Sequence, residues 1–258
     1  MIPVYSISKP FLAQAVLELG IDLDSPIGEI VTGLSQPYAG RRIGALLNHT
    51  SGLDDYGPMP QYKAAVAAGE RAWSRAELLS RAADLAHANH GFQYSNIGYL
   101  LLRMAVEQTT GLSYFSALNQ LVFRPLGITG LAEWEEPTDA VPGYDPRWVY
   151  SGTFLAEPAA IAPAVAALVA HRKETIGLEV GLQPVPYSNT GFDHPGYSFG
   201  FMNDGNPVRA AGHGGGGPGF GLMVVANAQT GAAELEYSTA PGFDQTAAIG
   251  RLRNSLGI

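Results

Sequence analysis

The chain has 258 residues, 46% of them apolar and 15% charged, with 32 glycines, 18 prolines and a formal net charge of −8. That composition belongs to a globular, loop-rich protein with a sizeable core, as one large domain or two interleaved lobes, and excludes disordered and fibrous classes. The acidic balance offers no basic stripe for phosphates and so excludes a nucleic-acid partner, while the lack of cysteine excludes disulfides, thiolate metal sites and a cysteine nucleophile.

No apolar run approaches the roughly 20 residues of a membrane span. The N-terminus has neither a basic n-region nor a clean apolar core, so it does not read as a signal peptide, and a cytoplasmic location is the expectation. Residues 6–19 predict a helix, because Phe11, Leu12, Ala15, Val16 and Leu19 recur at three- to four-residue spacing before Gly20. Pro10 belongs to its first turn, where a missing N–H costs least. A short helix over Arg41–Asn48 leads into the turn-like HTSGLDDYGPMP. Ser74 and Glu77 form a capping box that opens a helix to about Ala88. Helices are predicted again over Asn96–Thr109 and Ser113–Val122, with a turn-rich stretch at 128–155 and an Ala/Val helix at 158–171.

From Gly196 onward the pattern becomes β. Tyr197–Met202, Gly219–Ala226 and Ala233–Ser238 read as strands, with turns at Asp204-Gly205 and Asn227–Gly231, and a last helix spans about Phe243–Leu256. The layout is α+β. Its expected organisation is a single domain over 1–258, in which 1–20 with 196–258 make an α/β lobe and 21–195 a helical lobe.

Three places carry candidate chemistry. Ser6-Ile7-Ser8-Lys9 puts a hydroxyl and an amine three residues apart, on one helix face. Only three lysines occur (Lys9, Lys63 and Lys173), and this is the single Ser-x-x-Lys. Two readings stand: a nucleophile with its base beside a helix N-terminus, or an N-cap serine with a snorkelling lysine. Tyr94-Ser95-Asn96 precedes an amphipathic helix; a tyrosinate there can take the serine proton if the Lys9 ammonium lowers its pKa, and the Asn96 amide can orient Lys9 or a substrate carbonyl. The same tripeptide at Tyr187-Ser188-Asn189 reads as a loop. Third, Gly212-His213-Gly214-Gly215-Gly216-Gly217 lets a backbone approach a ligand closely and offer N–H groups to an oxyanion. His87 and His90 lack a third metal ligand, so no metal site is expected.

Taken in order, Ser6-x-x-Lys9, Tyr94-x-Asn96 and His213-Gly214-Gly215 resemble the serine β-lactamase/penicillin-binding-protein superfamily. The closest branch is the class C β-lactamase-like group with its family VIII carboxylesterases, D-aminopeptidases and DD-peptidases. LLNHTSGLDDY (46–56), FQYSNIGYLLL (92–102), TTGLSYFSAL (109–118), FRPLGIT (123–129) and GHGGGGPGF (212–220) extend the resemblance over most of residues 4–226. It implies an antiparallel sheet flanked by the first and last helices, with a helical lobe closing the cleft. It implies acylation at Ser6, acid–base work shared by Lys9 and Tyr94, substrate orientation by Asn96, and an oxyanion hole from the N–H groups of Ser6 and Gly216. No cofactor is implied.

Two departures qualify this. Where relatives have Lys-Thr-Gly, this chain has His213-Gly214-Gly215; a mostly neutral histidine and a glycine weaken carboxylate recognition. An esterase or amidase of small molecules is therefore expected ahead of a β-lactamase or DD-peptidase, or of a silent binding protein. Relatives also place a helix and two strands before the nucleophile. With three strands left, a sheet edge is expected to be covered by a partner copy, the last helix or the N-terminal residues. Trp134, Trp148, Tyr150 and Phe154 can line an apolar acyl pocket, although core packing is the default for each.

Overall fold

The structure, a computed structural model, describes residues 1–86, 91–186 and 190–258. His87, His90 and the second Tyr-Ser-Asn at 187–189 lie outside that range. The chain begins with β1 (Ile2–Pro3), a 3-10 turn at Tyr5–Ser8 and α1 (Lys9–Glu18). Helices α2 (Ile43–Leu47), α3 (Pro60–Ala67), α4 (Arg75–Arg81), α5 (Asn96–Thr110) and α6 (Tyr114–Leu118) follow. Two short strands, β2 (Leu131–Ala132) and β3 (Leu155–Ala156), precede the long α7 (Pro158–Thr175). Then come β4 (Gln183–Pro184), β5 (Pro195–Tyr197), β6 (Met202–Asp204), β7 (Ala210–Gly217), β8 (Phe220–Asn227), β9 (Ala233–Ser238) and α8 (Gln245–Leu256).

The main sheet is antiparallel, in the order β4-β5-β6-β7-β8-β9, and a small sheet pairs β1-β3-β2. Alternation along β8 builds two layers. Met223 and Val225 face α8, packing with Ala248, Ile249 and Leu252, while Leu222, Val224 and Ala226 join the larger core shared with α1 and α7. The fold is thus α+β, with the sheet held between its terminal helices. Although α7 belongs by number to the middle of the chain, it packs on β8 and β9.

Several local expectations change, among them the capping-box helix, which ends at Arg81 and not near Ala88. The helix foreseen from residue 6 starts at Lys9, because Pro10 has no N–H to give the Ser6 carbonyl and the Lys9 N–H takes that carbonyl in a 3-10 bond. Tyr197–Met202 is not a strand: Ser198 and Phe201 exchange backbone hydrogen bonds of 3.0 and 3.2 Å around Gly200 at φ +87°, turning β5 into β6. A Cβ at Gly200 would stand 2.7 Å from Pro10 Cα, so the turn seats directly on α1. The glycine run does not merely lead into a strand; it is β7. Helix α3 was not foreseen, although Pro60 at its first position is a start signal.

The sheet has more strands than the three expected. Among the described residues β9 still pairs only with β8, leaving its outer edge open. The N-terminal residues do not cover it, since Ile2 and Pro3 pair with Ala156 and Leu155. The last helix lies on the face of β8 and β9 instead.

Candidate functional site

Ser6 sits in the 3-10 turn, not at the helix cap. The α1 cap position is Ser8, whose hydroxyl goes to the Gly152 carbonyl at 2.7 Å and caps nothing. That leaves the Ser6 side chain for other partners. Just before it, Tyr5 has φ +47°, a left-handed conformation that costs a non-glycine residue about 1 kcal/mol or more. Surroundings over-determine it: the Tyr5 N–H binds Thr153 Oγ1 at 3.0 Å and its hydroxyl binds the Pro218 carbonyl. The strained turn aims Ser6 into a cavity of about 440 Å³.

Lys9, one turn on, is fully buried. Its Nζ lies 2.9 Å from Ser6 Oγ, 2.7 Å from Asn96 Oδ1 and 3.4 Å from Ser151 Oγ. Burial pulls its pKa from 10.5 down to about 7, against the opposing charge of Asp55. Near neutral pH a large fraction is therefore free amine within reach of the serine hydroxyl.

Tyr94 arrives from the segment before α5, and its hydroxyl donates to Ser6 Oγ at 3.1 Å. Burial pushes this phenol well above its ordinary pKa, with the Ser6 hydrogen bond opposing. The tyrosinate that the sequence allowed is thus disfavoured: Lys9 lies 5.2 Å from the ring centroid, yet burial leaves Tyr94 holding its proton.

His49, in the turn-like stretch that follows α2, braces this segment. At φ +61° it turns its ring under Tyr94, with centroids 4.4 Å apart. Its Nδ1 accepts from the Ser95 N–H at 3.1 Å and its carbonyl from the Gln93 N–H at 2.7 Å. Burial holds its pKa well below 6.5, so the ring is neutral and bears its proton on Nε2.

Glycines of β7 close the other side. A Cβ at Gly215 would meet the Val4 carbonyl oxygen at 2.5 Å, and one at Gly217 would run into the Tyr5 ring, so their absence lets the Ser6 turn lie on the strand. Gly214 likewise makes room for Gln245 of α8, whose Nε2 binds the Gly215 carbonyl at 3.2 Å. His213 is buried with both nitrogens engaged: Nδ1 donates to the Gly214 carbonyl at 2.6 Å and Nε2 accepts from Tyr197 at 3.1 Å. Burial and the Lys9 charge lower its pKa to about 3. It brings no positive charge to the cavity wall.

Ser6, Tyr94, Asn96, His213, Gly214 and Gly216 all line this cavity, with Lys9 beneath Ser6. Gly215 is buried behind the lining. Trp134, Trp148, Tyr150 and Phe154 do not line it and are core residues; Trp148, for example, stacks edge-on against Tyr62 and Trp73. The apolar wall comes instead from Phe92, Val185, Phe192, Pro195, Tyr197 and Met202. Phe192 and Met202 carry no periodic signal, since only the turn of β5 into β6 and the packing of α8 bring them to the mouth.

The fold and this cluster define an α+β protein whose antiparallel sheet lies between its terminal helices and whose serine, buried lysine and tyrosine meet at one cavity. A family model described as Beta-lactamase matches residues 1–251, and the chain belongs to that family. Penicillin-binding protein 4* of Bacillus subtilis (strain 168) is 35% identical over 132 residues, 48% of this chain and 28% of that protein. The chain thus aligns to well under half the length of this curated relative. Among solved structures, a D-amino acid amidase from Ochrobactrum anthropi SV3 superimposes with a TM-score of 0.79 at 22% identity, covering 99% of this chain and 83% of the other. A D-stereospecific amidohydrolase from Streptomyces sp. gives 0.74 at 23% identity, covering 96% and 85%. The octameric penicillin-binding protein homologue from Pyrococcus abyssi gives 0.76 at 21%, covering 98% and 65%. These likenesses concern the fold. No described helix is long and apolar enough to cross a membrane.

Proposed function

We propose that this chain is a serine hydrolase of small esters or amides that works through an acyl-enzyme on Ser6. The observation that carries the reading is that Ser6 Oγ meets a buried amine at 2.9 Å and a protonated phenol at 3.1 Å at the wall of one cavity. Lys9, as free amine, takes the hydroxyl proton while Ser6 Oγ bonds to the substrate carbonyl carbon. The backbone N–H groups of Ser6 and Gly216 serve as donors to the resulting oxyanion. As the intermediate collapses, Tyr94 protonates the departing alkoxide or amine, and the Lys9 ammonium returns a proton to the phenolate. Water then repeats the addition at the acyl carbon, giving its proton to Lys9, and the acid leaves as Ser6 is reprotonated.

The substrate class follows from the walls. Phe92, Val185, Phe192 and Met202 favour an apolar acyl or side-chain group, and the neutral His213 offers nothing to a carboxylate. Esters and amides without that carboxylate, including amides of D-amino acids such as the structural neighbours' names describe, stand ahead of β-lactams and D-Ala-D-Ala peptides. Self-association over the open edge of β9 belongs to the same reading, supported by the octameric archaeal neighbour, and light scattering in solution tests it. Fluorophosphonate labelling tests the chemistry: a covalent mass increase on Ser6, lost in Ser6→Ala together with ester hydrolysis, is the expected result. No adduct on Ser6, or full hydrolysis by Ser6→Ala, rejects it.

A further inference from the structure

Asp55 stands one layer behind the Ser6–Lys9–Tyr94 cluster. Half-buried in the turn after the His49 segment, it takes three hydrogen bonds from a single residue. The Asn96 backbone N–H reaches Asp55 Oδ1 at 3.1 Å, and Asn96 Nδ2 reaches Oδ1 at 3.0 Å and Oδ2 at 3.2 Å. Asn96 is the first residue of α5, so its N–H is one of the orphan donors of a helix start, and the carboxylate meets the positive end of the helix.

An amide side chain has two orientations, and its neighbours decide between them. Here the far side of Asn96 is Lys9 Nζ, a donor, at 2.7 Å from Oδ1. Turning the amide over would set Nδ2 against Nζ and Oδ1 against the carboxylate, a donor–donor and an acceptor–acceptor clash at once. Asp55 therefore leaves the Asn96 oxygen one place to point.

The same carboxylate sets the field at Lys9. The ionisable groups around Nζ are Tyr94 and Tyr99, whose ring centroids lie 5.2 and 5.4 Å away, together with His49, His213 and Asp55. Burial keeps both phenols protonated and both imidazoles neutral. Asp55 is the member of this set that carries charge.

We propose that Asp55 is a positioning residue for Ser6 acylation: it locks the Asn96 amide with its oxygen on Lys9 Nζ and supplies the negative charge that opposes loss of the Lys9 proton. The assignment rests on the hydrolase reading above. It states that Asp55 acts through Asn96 on the height of the rate and through its charge on the pH at which Lys9 becomes a base.

The test is the pH dependence of fluorophosphonate labelling at Ser6, followed by intact mass, in wild type, D55N, D55E, N96A and D55N/N96A. D55N is nearly isosteric but uncharged. Its plateau rate falls at least tenfold, and its acid limb moves to lower pH, because removing the negative charge lets Lys9 lose its proton sooner. N96A loses a comparable factor, and the double variant labels no more slowly than N96A. D55E keeps the charge and keeps the acid limb in place, a result a purely structural role does not produce. A D55N plateau within threefold of wild type, an unmoved limb, losses that multiply in the double variant, or a D55E limb displaced as far as that of D55N each overturns the assignment. Should D55N not fold, the D55E limb and the N96A plateau decide the matter alone. A wild type that takes no label on Ser6 overturns the hydrolase reading and this assignment with it, whereas a labelled wild type with an unaffected D55N overturns the assignment only.

Discussion

The Tyr94 hydroxyl rests 3.1 Å from Ser6 Oγ, across 88 residues of chain, and keeps its proton there because burial raises its pKa. A phenol so placed donates a hydrogen bond to Ser6 and, in the proposed hydrolase mechanism, is the acid for the leaving group. Tyr94→Phe therefore has a leaving-group signature. Amide hydrolysis falls about 10²–10⁴-fold, the usual worth of a positioned proton donor. A p-nitrophenyl ester, whose leaving group departs without a proton, loses much less. Parallel kcat/KM values on the two substrates check this, and equal losses on both count against the acid role.

Lys9 gives a pH limb and a stability effect of defined sign. With its pKa lowered to about 7 by burial, acylation rises with pH up to about 7 and then levels, which the pH dependence of labelling reads directly. In the unfolded chain the amine keeps its proton until about 10.5, so between these values the unfolded state binds more protons and stability rises with pH. Below about 7 the full burial penalty applies. Lys9→Met abolishes labelling and raises stability, by about 1–4 kcal/mol at pH 6.5. The gain shrinks toward pH 10, as denaturant titrations at both pH values measure.

Gly215→Ala tests the close approach of β7 to the Ser6 turn. The added methyl meets the Val4 carbonyl oxygen at 2.5 Å, and backbone on both sides cannot step aside as a flexible side chain would. The expected cost is about 1–3 kcal/mol, typical of overpacking, together with a labelling rate reduced at least tenfold because the Ser6 turn must move. Thermal melting and labelling of one sample check both.

Substrate charge makes a fourth test. Losing a charged partner for a carboxylate costs about 1.5–3 kcal/mol, so an acidic substrate falls behind its neutral counterpart by roughly 10- to 150-fold. Comparing kcat/KM for an apolar p-nitrophenyl ester, the same ester bearing a free carboxylate, and a chromogenic cephalosporin measures the ratio. Faster turnover of the acidic compounds contradicts the neutral-cavity reading.

Much of the candidate site was legible in the sequence because its chemistry sits in short local patterns. Ser6 and Lys9 are one helical turn apart, Tyr94 and Asn96 flank a helix cap, and a long glycine run has few uses other than close approach. The α+β order was also legible, since helical and alternating periodicities occupy different parts of the chain. Asp55 was not singled out: an acidic residue in a turn carries no periodic signal, and its importance depends on which amide it meets 41 residues on. The residues of the apolar wall were not named for a similar reason, as Phe92 and Phe192 look identical to the core residues Trp148 and Phe154 until packing sorts core from cavity.

By itself, then, the sequence determined which groups are available: one serine with a lysine three residues on, a tyrosine and an amide at a helix start, and a glycine strand able to lie against them. Tertiary structure alone decided their protonation. Whether Lys9 or Tyr94 is the base depends on desolvation, and desolvation is set by everything that surrounds a group in space and not by its neighbours in the chain. The sequence suggested a tyrosinate beside an ammonium; the folded interior reverses the pair, lowering the amine and raising the phenol.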